Sequence, residues 1–324
     1  MRPERAAGPV VVALGGGHGL SATLSALRLM SDSITAVVTV ADDGGSSGRL
    51  RTELDVLPPG DLRMALSALC DVSEWGRTWR DLLQHRFSSQ GSLDQHSVGN
   101  LLIVALWELL GDTVEGLDWV GRLLGARGRV LPMAAVPLEI EADVVDDDGT
   151  RHVVRGQSKV AVTRGRIKHI RLVPEAPPAC PQAVEAVRAA DWVVLGPGSW
   201  FTSVLPHLLV PDLSAALHET SARRVVTLNL SPETGETAGM GASELLRVLA
   251  QHAPRLRIDA VVADPAAVPD IGPLIEQTEA MGARLLLRQV GIGDGTARHD
   301  PLRLAAAYRD VFEDILGDVG TVSR

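Results

Sequence analysis

Three glycine-rich segments, each directly after a short apolar run, are the residues of this chain best suited to chemistry. The first reads Gly15-Gly16-Gly17-His18-Gly19-Leu20-Ser21-Ala22 and follows Val10 to Leu14. Glycines let a backbone approach phosphate oxygens, and a helix that starts there offers unpaired N–H groups and a positive dipole end. Residues 17–22 fit the G-x-G-x-x-G/A fingerprint, and Asp42 lies 20 residues beyond Ala22. No Lys-Ser/Thr pair follows, so this is not a Walker-type loop. The chemistry would be phosphate or nucleotide binding; the bland alternative is a tight strand–helix turn. His18 either touches a phosphate or fills the loop.

The second segment, Ala41-Asp42-Asp43-Gly44-Gly45-Ser46-Ser47-Gly48-Arg49-Leu50-Arg51, follows the apolar run Thr35 to Val40. In an open parallel sheet the carboxyl ends of the strands face the ligand crevice. Asp42 and Asp43 there could hold a ribose hydroxyl, or a Mg²⁺ that keeps most of its waters. Ser46, Ser47 and backbone N–H groups, with Gly44 and Gly45 in the loop, could hold phosphate, and the alternative is a solvated Asp-Gly turn. Gly44 to Gly48 also matches G-x-S-x-G, the nucleophile elbow of serine hydrolases. That elbow needs a strand running straight into the serine, and two aspartates intervene here.

The third segment is Gly196-Pro197-Gly198-Ser199, after Trp192 to Leu195 and before Thr202. Two loops of this kind in one sheet suggest a ligand with two anchoring points, such as a dinucleotide or a nucleotide-sugar. Asn229, in Val226 to Gly235, closes another strand and would bind polar groups deeper in the crevice. Arg298-His299-Asp300 precedes the last helix and reads as an anion clamp or a salt-bridged cap. Asn100, in His96-Ser97-Val98-Gly99-Asn100, stands at a helix start, where capping is its default role; facing a crevice it can also bind a ligand hydroxyl or carbonyl. Asp61, in Leu57-Pro58-Pro59-Gly60-Asp61-Leu62-Arg63, reads as an N-cap.

The elements that must position these groups alternate between strand and helix. Val10–Leu14, Thr35–Val40, Trp192–Leu195, Val225–Leu230, Ile258–Ala263 and Leu285–Val290 are predicted strands. Ser21–Met30, Leu62–Leu69, Trp79–Leu83, Leu101–Leu110, Val184–Ala190, Ser243–Gln251, Leu274–Met281 and Leu302–Ile315 are predicted helices. From about Leu131 the period changes to alternation, with a turn at Asp146-Asp147-Asp148-Gly149 and short strands at Val153–Val154, Val160–Val162 and Ile167–Val173. The prediction is an α/β fold with a doubly wound, mostly parallel Rossmann-like sheet and a small antiparallel β insertion. Residues 1–130 form the N-terminal nucleotide-binding half, 131–173 the insertion, and 174–324 the C-terminal half of the same α/β domain.

The composition bounds the function. The chain has 324 residues, is 45% hydrophobic and 22% charged, and carries a net charge of −9, which excludes a disordered chain and argues against a nucleic-acid partner. Aromatic residues are 3%, so ligand recognition by stacking has few candidates. Cys70 and Cys180 form no metal or redox pattern and suit a reducing compartment. No apolar run approaches a membrane span. Arg2 and Arg5 precede an apolar run too short for a signal peptide, so the expected location is the cytoplasm. A homo-oligomer is compatible with all of this.

Taken in order, the runs Gly15 to Gly19, Asp42 to Arg51, Leu57 to Arg63, Gly99 to Leu102, Gly196 to Ser199 and Arg298 to Asp300 resemble the YvcK-type gluconeogenesis factor family, related to the CofD-type 2-phospholactate transferases. The resemblance spans about Val10 to Leu304. It implies a Rossmann-like sheet with a β insertion. Its YvcK branch implies binding of UDP-sugars, notably UDP-N-acetylglucosamine, and a role in cell shape, wall synthesis and growth on gluconeogenic carbon sources. Its CofD branch implies Mg²⁺-dependent transfer of a phospholactyl group to a deazaflavin. The long Asp-Asp-Gly-Gly-Ser-Ser-Gly-Arg-Leu-Arg run is closer to the YvcK branch. Some YvcK-type proteins have a phosphorylatable Thr after the Arg-His-Asp triplet; this chain has Pro301. The expected protein is a ligand-binding regulator, with Asp42 and Asp43 as metal ligands if it is a transferase. A third reading, an NAD-dependent oxidoreductase, rests on the fingerprint alone.

Overall fold

The computed structural model describes residues 8–231 and 235–315. Arg2 and Arg5, and Pro232, Glu233 and Thr234 of the segment after Asn229, lie outside the described residues.

The main sheet contains seven strands. These are β1 (Val11–Gly15), β2 (Ile34–Val38), β3 (Arg129–Pro132) and, after a three-stranded insertion of β4 (Glu139–Val145), β5 (Arg151–Arg155) and β6 (Arg166–Val173), the strands β7 (Trp192–Leu195), β8 (Arg223–Thr227), β9 (Ala260–Ala263) and β10 (Arg284–Leu287). Their order is β10-β9-β8-β7-β1-β2-β3, and every pair is parallel. Every residue of β1, β7 and β9 is buried, as short apolar runs covered on both faces by helices require. The chain leaves β1 toward β2 and β3, then returns to the other side of β1 to lay down β7. The sheet therefore changes direction between β1 and β7, and the crevice of such sheets opens at that point.

Among the described residues, twelve α-helices connect and cover the strands. Helix α1 (Gly17–Leu27) joins β1 to β2. Five helices, α2 (Gly45–Leu54), α3 (Gly60–Leu69), α4 (Glu74–Gln84), α5 (Val98–Leu110) and α6 (Thr113–Leu124), form the crossover to β3. The others are α7 (Gln157–Ala161), α8 (Pro181–Ala189), α9 (Pro211–Glu219), α10 (Ala242–His252), α11 (Gly272–Ala280) and α12 (Pro301–Phe312). A π-turn at Trp200–Val204 and a 3₁₀ turn at Leu205–Leu209 follow β7. Fully buried Tyr308 of α12 has its hydroxyl 3.2 Å from Thr23 Oγ1 of α1 and 3.0 Å from Thr227 Oγ1 of β8. This contact sets the start of α12 over the switch point. No described helix is long and apolar enough to cross a membrane.

The insertion is antiparallel, in the order β5-β4-β6, and the predicted turn is closed by Gly149 N–H donating to the Asp146 carbonyl at 2.9 Å. Two details differ from the sequence reading. Val160 and Ala161 belong to α7, not to a strand. Gly156, at φ +98°, breaks the chain away from β5, and Asp43, far away in sequence, caps the new helix by accepting from Ser158 N–H at 2.9 Å. Leu131 and Pro132 lie in β3 of the main sheet, so the antiparallel ladder begins at Glu139. The buried pair Val130–Leu131 is short enough to read as either kind of strand.

Candidate functional site

The loops at the switch point are built against each other. Gly15 ends β1, and its carbonyl accepts from Thr39 N–H at 3.0 Å and Thr39 Oγ1 at 3.2 Å. Thr23 of α1 donates its hydroxyl to the Gly196 carbonyl at 2.9 Å. Asn229 grips Gly198 from both sides, accepting from its N–H at 2.8 Å and donating to its carbonyl at 3.0 Å. A Cβ on Gly19 would stand 2.1 Å from the Pro197 carbonyl oxygen, so only glycine lets the first loop and the 196–199 loop approach this closely. Beside them opens a cavity of about 400 Å³, lined by His18, Gly19, Pro197, Gly198 and Asn229 together with Arg298 and His299.

The triplet Arg298-His299-Asp300 divides its labour. Asp300 caps α12 by accepting from Leu302 N–H at 2.8 Å and Arg303 N–H at 3.1 Å. Burial holds the His299 imidazole below its ordinary pKa, opposed by a hydrogen bond to the Leu228 backbone, and its Nε2 is buried without a partner. Arg298 stands at the rim, 69% exposed, with one nitrogen 3.2 Å from Asp294 Oδ2 and Nε 3.2 Å from Thr296 Oγ1. It is the cation that faces this cavity. Ser199 opens the π-turn, and Thr202 is buried within it.

A second polar group lies on the β2 side. Asp61 does act as a cap, but not of its own helix, whose N-cap residue is Pro59. It accepts from the Gly17 N–H at the start of α1. A Cβ on Gly16 would meet Asp61 Oδ2 at 2.5 Å. Burial, and then the charge of Asp42, push the Asp61 carboxyl up to about 7, against the pull of Gly17 N–H and Arg63. One N–H of the helix end reserved for phosphate on sequence grounds is thus taken by a carboxyl of the protein.

Helix α2 has no side-chain cap, and its N-cap residue is Gly44. Its first turn carries the exposed Gly45 and the buried Ser46 and Ser47. Asn100 of α5 donates to both serine hydroxyls, at 3.1 and 3.3 Å, while its own Oδ1 is buried without a partner. Ser46 Oγ also lies 3.0 Å from His96 Nδ1 and accepts from Ser97 N–H at 3.3 Å. With Ser46 only 2% exposed, this Ser–His pair is closed to any substrate and holds the loop instead.

The structure therefore gathers the sequence candidates into two neighbouring sets. Gly15 to Gly19, Gly196 to Ser199, Asn229 and Arg298 meet at the switch point. Asp42, Gly44, Gly45, Ser46 and Asn100 meet beside it. Asp43 is turned to the N-terminus of α7. Asp61, read only as a helix cap, and His96 are the site residues to which sequence reasoning gave no site role. The signal for Asp61 was the rigid Pro58-Pro59-Gly60 entry, which aims its carboxylate at another helix.

Among the described residues no group of three or more His, Cys, Asp or Glu could hold a metal. The carboxyl beside Asp42 is Asp61: Asp42 Oδ2 and Ser47 Oγ both crowd the place a Gly60 Cβ would take, at 2.6 and 2.3 Å. A Mg²⁺ that keeps most of its waters needs only one or two carboxylates, and its charge would draw the Asp61 carboxyl into the ionised form.

A family model described as 2-phospho-L-lactate transferase CofD matches residues 11–283. A gluconeogenesis factor of Bacillus subtilis is 36% identical over 320 residues, covering 94% of this chain and 99% of its own. A Mycobacterium tuberculosis protein that also bears the gluconeogenesis-factor name is 55% identical over 308 residues, covering 93% of this chain and 90% of its own. The crystal structure of a UPF0052-family protein from Bacillus halodurans superposes with a TM-score of 0.81 at 35% identity, covering 92% of this chain and 97% of that one. With the fold, the paired glycine loops and the length of the match in agreement, the chain belongs to the CofD family and, within it, to the YvcK-type gluconeogenesis factors.

Proposed function

We propose that the protein binds a nucleotide-sugar of the UDP-N-acetylglucosamine type and acts as a regulator of cell shape, wall synthesis and growth on gluconeogenic carbon sources. The observation that carries this reading is the switch-point cavity. It has two glycine loops packed against each other, the second held by Asn229, on one wall and the exposed guanidinium of Arg298 on the other. Backbone N–H groups and one arginine suit a diphosphate, because they offer donors without requiring a metal. Asp42, beside α2, would receive sugar hydroxyls. The gluconeogenesis-factor name of the relatives supports the physiological half of the proposal.

Titration with UDP-N-acetylglucosamine by calorimetry, with and without Mg²⁺, tests it. Saturable micromolar binding with the ligand recovered intact is expected. Absence of binding in both buffers would refute it.

One observation favours a second reading, a Mg²⁺-dependent phospholactyl transferase acting on a deazaflavin. It is the Asp42–Asp61 pair together with the CofD match. There the pair would hold the metal, which would neutralise charge developing on the transferred phosphoryl group. Turnover of a deazaflavin acceptor that disappears in Asp61→Asn would support it.

A further inference from the structure

The insertion sheet has one edge that the fold leaves open. In the order β5-β4-β6, the edge strand β6 is packed against the body of the protein. Arg166 lies 3.5 Å from Glu244 of α10, and the His169 ring stacks on His252 of the same helix at 5.8 Å. On the other edge, β5 is exposed along most of its length, and β4 is its only strand partner among the described residues. Thr150 and Gly156, which flank β5, bond to the β4 side. The Thr150 carbonyl accepts from Asp146 N–H and Gly156 N–H donates to the Ile140 carbonyl, both at 2.9 Å. Alternation along an antiparallel strand then turns the N–H and C=O groups of Arg151, Val153 and Arg155 toward the open edge. None of them meets a backbone partner there among the described residues. Such a row of unpaired groups is a template for one more strand.

The charges around that edge decide which strand it takes. From Arg151 to Val173 the chain has seven Lys and Arg, including both of its lysines, and no Asp or Glu, against a net charge of −9 for the whole. Period-two alternation places Arg151, Val153 and Arg155 on the outer face with Val145, Asp143 and Glu141, while Ile140, Ala142 and Val144 are buried beneath. On that face Arg155 is spent on Glu139 and Glu141, and Arg171 on Glu141 and Asp143. Arg151 and Lys168 have no acidic partner among the described residues. They line one cavity of about 440 Å³ together with Val145, Val153 and the already paired Asp143. A carboxylate entering it meets two uncommitted cations beside an apolar floor.

A second copy of this chain does not fit the edge. Strand β5 paired antiparallel with itself about Val153 sets Arg151 opposite Arg155 at both ends, and like charges directly opposite are destabilising. A flat anionic surface does not fit either, because the exposed Asp147 and Asp148 stand at the turn between β4 and β5, close to Arg151. We propose that β5 is a docking edge for an extended acidic segment of another protein, which adds as a fourth strand and sets a carboxylate in the cavity with Arg151 and Lys168. No residue of this cavity lines the switch-point cavity, so the proposal stands whatever ligand the crevice takes.

The probe is the fluorescein-labelled peptide Thr-Val-Thr-Glu-Thr-Val-Thr, with Lys in place of Glu as the control, titrated with the full chain by anisotropy. The acidic peptide is expected to bind saturably and at least tenfold more tightly than the basic one. Arg151→Glu combined with Lys168→Glu is expected to reverse that preference. Val153→Pro removes an N–H that β4 does not use, and proline is tolerated on an edge strand whose N–H faces solvent. This variant is expected to lose the acidic peptide at an unchanged unfolding temperature. In the wild type the acidic peptide should slow hydrogen exchange in β5. No saturable binding of the acidic peptide, or binding that Val153→Pro retains in full, would overturn strand addition. Binding of phosphatidylglycerol vesicles but not of the peptide, lost in the double variant, would also overturn it and make this face a membrane contact.

Discussion

Two buried titratable residues beneath the crevice work in opposite senses. Asp61 has its carboxyl raised from 3.8 to about 7, chiefly by burial and then by Asp42. The native state therefore binds more protons than the unfolded chain between those values, and stability falls as pH rises through that window and is level above it. The shift corresponds to about 4 kcal/mol. His207 is fully buried beside the Val37 and Val204 carbonyls, and burial lowers it from 6.5 to about 4. Its unfolded form binds the extra proton, so its contribution of about 3 kcal/mol is present above pH 6.5 and lost as pH falls toward 4. Together they flatten the wild-type profile. Asp61→Asn keeps an acceptor for Gly17 N–H, so it should gain stability at pH 8 and show a steeper loss on acidification. His207→Gln should lose the acid-side dependence. Urea unfolding at pH 4 to 8 reads both, and profiles parallel to wild type in both variants would show that neither group is perturbed.

At the scale of elements, the site depends on how closely two loops are pressed together. Gly19→Ala puts a methyl 2.1 Å from one backbone oxygen and 2.7 Å from Gly198 Cα. The loops must part, at about 1–3 kcal/mol of stability, and UDP-N-acetylglucosamine affinity should drop at least tenfold. Asn229→Ala leaves the Gly198 N–H and carbonyl without their partner, a loss of about 1–3 kcal/mol, with ligand binding weakened because the loop is no longer held. Asp300→Ala is the contrasting case. It removes only the α12 cap, costing about 1 kcal/mol, and should shift the unfolding temperature with a small effect on affinity. Thermal unfolding and calorimetry on the three variants separate loop geometry from helix capping. Equal affinity losses in all three would contradict the division of roles within the Arg298 to Asp300 triplet.

For the whole molecule, a ligand bound at the switch point touches loops from both halves of the sheet, so binding should stabilise the chain as one unit. At a free UDP-N-acetylglucosamine concentration 100 times its Kd, linkage predicts about 2.7 kcal/mol, or about 4 °C in unfolding temperature for a chain of this size. A scan with and without ligand measures this, and no shift at saturation would argue against binding to the folded crevice. The insertion is joined to the same unit through Asp43 at the start of α7, and Glu141 of β4 is held in turn by Arg155 and by Arg171 Nε at 2.7 Å.

What the sequence determined by itself was the alternation of buried strands and amphipathic helices, the antiparallel insertion, and the three glycine segments at strand ends. These follow from local periodicity and turn chemistry, which a single stretch of chain carries whole. The family resemblance was legible for the same reason, because it rests on motifs in order. What the tertiary structure decided was which polar groups are spent and which remain for a ligand. Asp61 looked like the cap of its own helix, yet the Pro58-Pro59-Gly60 entry carries it to α1. Asp43 looked like the twin of Asp42, yet it caps a five-residue helix 115 positions away, the same helix that the alternation around Val160 had disguised as a strand. Asn229, expected among the ligand contacts, also has both ends of its amide on Gly198. A hydrogen-bond partner far along the chain leaves no trace in the local pattern, because its position is set by the packing of the sheet and not by spacing in the sequence.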